Sequence, residues 1–270
     1  MKKPSILSYS IGILLSLATI CSGQTIFTTD FGAFADGPIA NATGWEGQPL
    51  WTISGGNATL GSTFQRARNF SPIIPNVGDS VVVTLTDVVF TGAGNGGNTL
   101  YTFGLAAQTE HTGSQVPQVG SELEFTGTNL TVGGAVDPNY NAGSDVFNAT
   151  MTFVRLNDGN WNLTSSLTNT TDAMTYNGST ITATNLVGTS GGASDGLTLS
   201  QYLALDPGVN NALYGMRGNT SGVDAAIAIG GVTVDFVSVP EPSTFALIGG
   251  LLAVGYTCYR RRRFTVKNDS

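Results

Sequence analysis

From residue 24 to residue 238 this 270-residue chain contains no cysteine, no lysine and a single histidine, His111. Its two cysteines, Cys21 and Cys258, sit in the terminal segments, so no disulfide forms within the stretch between them. A body of that length buries enough apolar surface to fold without one. Triad chemistry would have to rest on His111 alone, which argues against a nucleophile–histidine hydrolase. Positive charge is scarce as well. Lys2, Lys3, Lys267 and Arg260 to Arg263 are terminal, leaving Arg66, Arg68, Arg155 and Arg217 against sixteen carboxylates, a formal −12. Such a surface repels phosphate backbones and excludes nucleic acid as a partner. Long apolar runs are missing from the body too; the two in the chain lie at its ends.

The first of these runs, Ile6 to Ile20, follows Lys2 and Lys3 and precedes the small residues Cys21, Ser22 and Gly23. That order is a secretory signal peptide over residues 1–23, cleaved after Gly23 to leave Gln24 first. Acylation of Cys21 needs a small residue before it, and Ile20 stands there instead. The second run follows Val239-Pro240-Glu241-Pro242-Ser243-Thr244 and ends at Arg260-Arg261-Arg262-Arg263. Pro240 and Pro242 fix φ and remove two N–H donors, which keeps this junction extended. Ser243 to Tyr259, as a helix, spans roughly 25 Å against a hydrocarbon core of about 30 Å. Snorkelling arginines cover part of the difference, and the tetrad belongs on the cytoplasmic side.

These three parts in this order resemble the PEP-CTERM tail recognised by exosortases. The resemblance implies a transient anchor in the inner membrane and cleavage by an exosortase-type enzyme around Val239, Pro240, Glu241, Pro242 and Ser243. It also implies delivery to the cell surface or extracellular matrix. The alternative is an ordinary membrane anchor that is never cut. The expected organisation is a signal peptide at 1–23, one domain at 24–238 and a sorting tail at 239–264. The tail carries a transmembrane helix at about 243–259, and a cytoplasmic end follows at 265–270.

The body is rich in Gly, Thr, Asn and Ser, with short runs of period two. Val81, Val83 and Leu85 alternate with Val82, Thr84 and Thr86. Similar alternation marks Tyr101 to Leu105, Glu122 to Phe125, Phe147 to Phe153 and Val232 to Phe236. Each predicts a half-buried antiparallel strand. Asn157-Asp158-Gly159-Asn160 reads as a hairpin turn before a strand from Trp161 to Thr164. Gly92 to Gly97, Gly133-Gly134 and Gly191-Gly192 mark loops or bends. Only Leu199 to Leu205 has a helical pattern. Without a fixed-period repeat, the fold class expected is all-β, an antiparallel β-sandwich or jelly roll. Asp30-Phe31, Ala35-Asp36-Gly37 and Gly44-Trp45 also resemble the opening of concanavalin-like (laminin-G-like) jelly rolls. The turn at Asp158-Gly159 and a closing strand at Val232 to Val237 occupy positions that such domains use.

Four groups of residues bear on chemistry. Glu122 and Glu124 share a strand face and resemble part of the Glu-x-Asp-x-x-Glu pattern of laminarinase-type hydrolases. Glu124 replaces the Asp, however, and Gly127 replaces the acid/base Glu. Asp137 to Asp145 carries side-chain oxygens at every second residue, as calcium loops do, but has its Gly one place out and no closing Glu. A polar turn is the expectation there, and calcium the alternative. Thr180, Thr182 and Thr184 form a row of the kind seen on some ice-binding surfaces; the expectation is a plain exposed strand face. Trp45, Trp51 and Trp161 are candidates for sugar stacking or for core packing. Sequons such as Asn41-Ala42-Thr43 follow from an Asn- and Thr-rich composition. The function expected is that of a non-enzymatic surface or matrix protein. A carbohydrate-binding module acting on extracellular polysaccharide is the alternative, and a glycan hydrolase a weaker third.

Overall fold

The strongest alternation, at Ser80 to Phe90, becomes the longest strand among the described residues and the spine of the larger sheet. A computed structural model describes residues 23–46, 51–59, 65–67, 72–91, 99–106, 118–125, 129–184, 196–205, 213–217, 226–239, 249–257 and 259. The first strands are β1 (Gln24–Asp30), β2 (Gly37–Pro38), β3 (Trp45–Glu46), β4 (Thr52–Ser54), β5 (Asn57–Thr59) and β6 (Gln65–Ala67). Then come β7 (Ser80–Thr91), β8 (Thr99–Ala106), β9 (Gln118–Phe125), β10 (Leu130–Val132) and β11 (Ala135–Asp137). A hairpin of β12 (Phe147–Arg155) and β13 (Trp161–Asn169) leads to β14 (Met174–Asn177) and β15 (Ile181–Ala183). Helix α1 (Leu199–Leu203) precedes β16 (Leu213–Arg217), β17 (Ala226–Ile229) and β18 (Gly231–Val237). The expected helix is one turn and a half, begun by a capping box between Thr198 and Gln201.

Among the described residues the strands form an eleven-stranded and a seven-stranded sheet, and every pairing is antiparallel. The larger sheet runs β1, β18, β7, β12, β13 across its middle, with β14 and β15 both on the far edge of β13. The smaller runs β11, β10, β9, β8, β16, β6, β3. Their inner faces share one core. Val81, Val83, Leu85 and Phe90 of β7, with Ala149, Met151 and Phe153 of β12, meet Tyr101, Phe103 and Leu105 of β8, all fully buried. Phe90 bridges the layers, with its ring 5.9 Å from Tyr101 on the other sheet and stacked at 6.0 Å on Phe147. Burying a side chain of this size stabilises by roughly 1.5–3 kcal/mol, so these few rows dominate the fold. Gly23–Val237 forms one compact unit, an antiparallel β-sandwich of the jelly-roll kind.

β7 is long enough to take two partners on one edge. Ser80 to Thr86 pair with β18, while Val89 to Thr91 pair with β17. The two partners are one strand interrupted at Gly230, whose N–H donates to the Thr86 carbonyl at 3.0 Å. Opposite the interruption Asp87 takes φ 52°, unusual for a residue with a Cβ. A Cβ added to Gly230 would lie 2.7 Å from that of Asp87, so only glycine fits. The expected turn at Asn157 to Asn160 forms, closed by Asn157 Oδ1 accepting from Gly159 N at 3.1 Å and Asn160 N at 2.9 Å. Arg155 braces it by donating to Asp158 and to the Pro75 carbonyl.

Candidate functional site

The Asp137 to Asp145 segment links β11 to β12 and lies against the end of β13. Asp137 and Asp145 are buried, and so is Asn169, the last residue of β13. The Asn169 side-chain amide donates to Asp137 Oδ2 at 2.9 Å, Asp145 Oδ2 at 3.2 Å and Asp172 Oδ2 at 3.4 Å. Its Oδ1 accepts from the backbone N–H groups of Thr171 and Asp172, at 3.0 and 3.2 Å, which fixes the nitrogen toward the carboxylates. Asp137 Oδ1 accepts from Asn139 N at 3.0 Å, and Asp145 Oδ2 from Asn141 N at 2.9 Å. The alternating oxygens of the expected polar turn therefore converge on an amide donor. Among the described residues no group of three or more His, Cys, Asp or Glu is placed to hold a metal ion. These groups form, among the described residues, a polar knot that ties a loop to a hairpin end.

Tyr140 locks the same loop from the core side. Its hydroxyl donates to the Asp145 carbonyl at 3.1 Å and accepts from Phe90 N at 3.0 Å. Burial pushes this phenol up to about 12; the Phe90 N–H opposes that rise, and the nearby Asp145 and Asp137 add to it. The Tyr176 phenol is also raised, by burial and by Asp137, with which its hydroxyl is hydrogen-bonded.

The tryptophans are core residues, which overturns their candidacy as sugar platforms. Trp45 is 5 % exposed, Trp51 1 % and Trp161 not at all. Trp45 donates to Thr29 Oγ1 at 3.0 Å and packs on Phe27 and Phe31, and Trp51 lies against Phe103. The indole N–H of Trp161 is buried and has no partner among the described residues. Period-two reading places Trp161 and Leu163 together on one face of β13, and that face proves to be the inner one. Asp30 and Asp36 of the concanavalin-like opening are structural, accepting from Gly32 N at 2.9 Å and Gly55 N at 3.0 Å. Glu122 and Glu124 flank the buried Leu123 in β9, opposite Thr102 and Leu100 of β8. Their carboxylates, together with Gly127 and His111, lie outside the described part of the structure.

Threonines do align, but across strands rather than along one. The outer face of the larger sheet carries a row Thr28, Thr233, Thr84, Thr150, Ser166, Asn177, each opposite the next. A second row, Thr25, Asp235, Val82, Thr152, Thr164, runs beside it. A bulge in β1 between Thr25 and Phe27 keeps Thr25 and Thr28 on the same side. Thr180 and Thr182 extend this surface at its far edge. Thr180 and Thr164 hydroxyls lie 3.1 Å apart, and Thr182 donates to Asn162 Oδ1 at 2.7 Å. The apolar positions mark each strand singly; the signal for this surface is that the polar positions between them are so often threonine.

In the tail, Val239 is exposed, residues 249–257 are helical, and 240–248 and 260–263 lie outside the described residues. Leu251, Leu252, Val254 and Tyr256 of this helix are all exposed. Among the described residues no helix is long and apolar enough to cross a membrane. Of the span expected at 243–259, the described residues 249–257 are helical.

Residues 238–263 match a family described as the PEP-CTERM protein-sorting motif. The chain carries that motif, which indicates export and a membrane-anchored sorting signal. No curated protein sequence matches the chain. Among solved structures it is similar to arcelin-5, a lectin-like defense protein from Phaseolus vulgaris, with 13 % identity and a TM-score of 0.42, covering 78 % of this chain and 97 % of that one. A lectin from Bauhinia forficata in complex with GalNAc is similar at 10 % identity and a TM-score of 0.42, over 81 % of this chain and 100 % of that one. An endo-1,3-beta-glucanase from Streptomyces sioyaensis is similar at 14 % identity and a TM-score of 0.41, over 80 % of this chain and 97 % of that one.

Proposed function

We propose that the protein is a non-enzymatic component of the cell surface or extracellular matrix, released through its tail. The signal peptide over 1–23 starts export. The tail from 239 to 264 holds the chain in the inner membrane for a time, with Arg260 to Arg263 on the cytoplasmic side. An exosortase-type enzyme then acts at the extended junction of Val239, Pro240, Glu241, Pro242 and Ser243. The observation that carries this reading is the match over 238–263, in which the proline break, apolar run and arginine tetrad follow in order. Arginine on one flank alone opposes translocation of that flank and sets the orientation.

Intact-mass measurement of the protein recovered outside the cells tests it. The expected mass begins at Gln24 and lacks the segment beyond the junction. A mass that retains Arg260 to Arg263 defeats the sorting step. A second reading, that the sandwich binds extracellular carbohydrate, draws on its hydroxyl-rich outer face. Hydrolysis of a glycan is the least supported, because the partner acid expected after Glu122 and Glu124 is Gly127. Polysaccharide turnover abolished by Glu122→Gln would reinstate it.

A further inference from the structure

We propose that the outer face of the larger sheet, centred on Thr84 and Thr150, is the docking surface for an uncharged polysaccharide chain. The inference rests on the reading that the sandwich works outside the cell. Six strand positions in a row, at about 4.8 Å per strand, make a platform roughly 24 Å wide, suited to a polymer rather than a single sugar. Each threonine offers a hydroxyl that donates and accepts beside a methyl group, and sugar rings present the same mixture of hydroxyl and C–H.

Several hydroxyls in and beside the rows already have side-chain partners. Thr28 and Thr233 are 3.4 Å apart, Thr168 and Thr175 3.1 Å, and Thr25 donates to Asp235 at 2.5 Å. Paired hydroxyls are held in place before a ligand arrives, which reduces the ordering cost of binding. Asp235, engaged by Thr25, is the one charge in the two rows.

Charge chooses among occupants. The body carries −12 and its rows no cation, so a second copy or an acidic polymer meets repulsion while a neutral chain does not. The rows hold one large apolar side chain, Val82, and so offer no lipid-binding patch. A planar ice lattice fits poorly as well. Adjacent strands rotate by roughly 20–25°, so six strands accumulate on the order of 100–125° of twist. A flexible polymer can follow that twist. Repeated weak contacts also favour polymer over monomer through effective concentration.

The test uses the full chain in neutral detergent, incubated with insoluble cellulose, insoluble chitin or calcium alginate beads. Depletion by at least one neutral polymer, not by alginate and not relieved by the free monosaccharide, is expected. Thr84→Val with Thr150→Val keeps β-branched shape and removes two hydroxyls; it should lower retention at least tenfold with the melting temperature little changed. Thr152→Glu provides a second disruption by charge, and Thr131→Val on the smaller sheet should leave retention intact. No depletion by either neutral polymer overturns the proposal. So does retention indifferent to both face variants, or uptake of the protein into growing ice in place of polymer. Cell fractionation run in parallel locates the chain outside or inside, which separates failure of this inference from failure of the sorting reading.

Discussion

Asn169 ends β13 with one amide shared among three carboxylates. Asn169→Ala leaves Asp137 and Asp145 buried without that donor and should cost about 3 kcal/mol in urea unfolding. Asn169→Asp keeps the shape but turns the donor into a further acceptor, and should cost more than the alanine does. Tyr140 gives the same loop a pH signature. Its phenol is raised from 10.0 to about 12, so both folded and unfolded chains hold the proton below pH 10. Between 10 and about 12 the unfolded chain loses its proton first, and stability falls as pH rises. Tyrosinate absorbance recorded with unfolding should show phenol titrating late, together with the loss of structure, and Tyr140→Phe should diminish that late component. A late component of unchanged size in Tyr140→Phe would contradict the buried placement. Sequence alone flagged Asp137 to Asp145 by its alternating oxygens. It did not find Asn169, because the partner that satisfies those oxygens lies more than twenty residues away and becomes adjacent only through the β11–β13 packing.

At the scale of elements, the long alternating strands were legible because period two records burial directly. Ser80 to Phe90, Phe147 to Phe153 and Val232 to Phe236 each appear where expected, with their apolar positions inward. The two-residue strands β2 and β3 were not, since two residues carry no period. The strand before Gly230 was missed for another reason. Ala226–Ile229 has a weak pattern of its own and becomes a strand by pairing with the end of β7. The break at Gly230 gives this element its test. Gly230→Ala drives a Cβ into Asp87 and should destabilise by about 2–3 kcal/mol, read as a fall in the urea midpoint without a change in slope. Asp87→Gly should offset part of that loss in the double variant, because it relieves the positive φ and removes the clashing atom. Additive losses would show that the two residues do not meet.

For the whole molecule, charge is the dominant bulk property. Four arginines face sixteen carboxylates in a body with no lysine, so self-repulsion opposes the compact state. Raising sodium chloride from about 10 mM to about 0.5 M should increase the melting temperature of the full chain by a few degrees as the repulsion is screened. Reductant should leave it unchanged, since both cysteines lie outside the body. The topology adds a consequence for how such a chain becomes a domain. Strand β1 begins at Gln24 and finds its partner only in β18, which ends at Val237. On the proposed route of export, N-terminus first, nearly the whole body crosses before that edge can pair. The residue after Val237 opens the sorting motif. The strand that completes the sheet and the signal that arrests the chain are therefore delivered together. On that proposed route closure of the sandwich coincides with anchoring, and a chain truncated before β18 would keep its first strand unpaired.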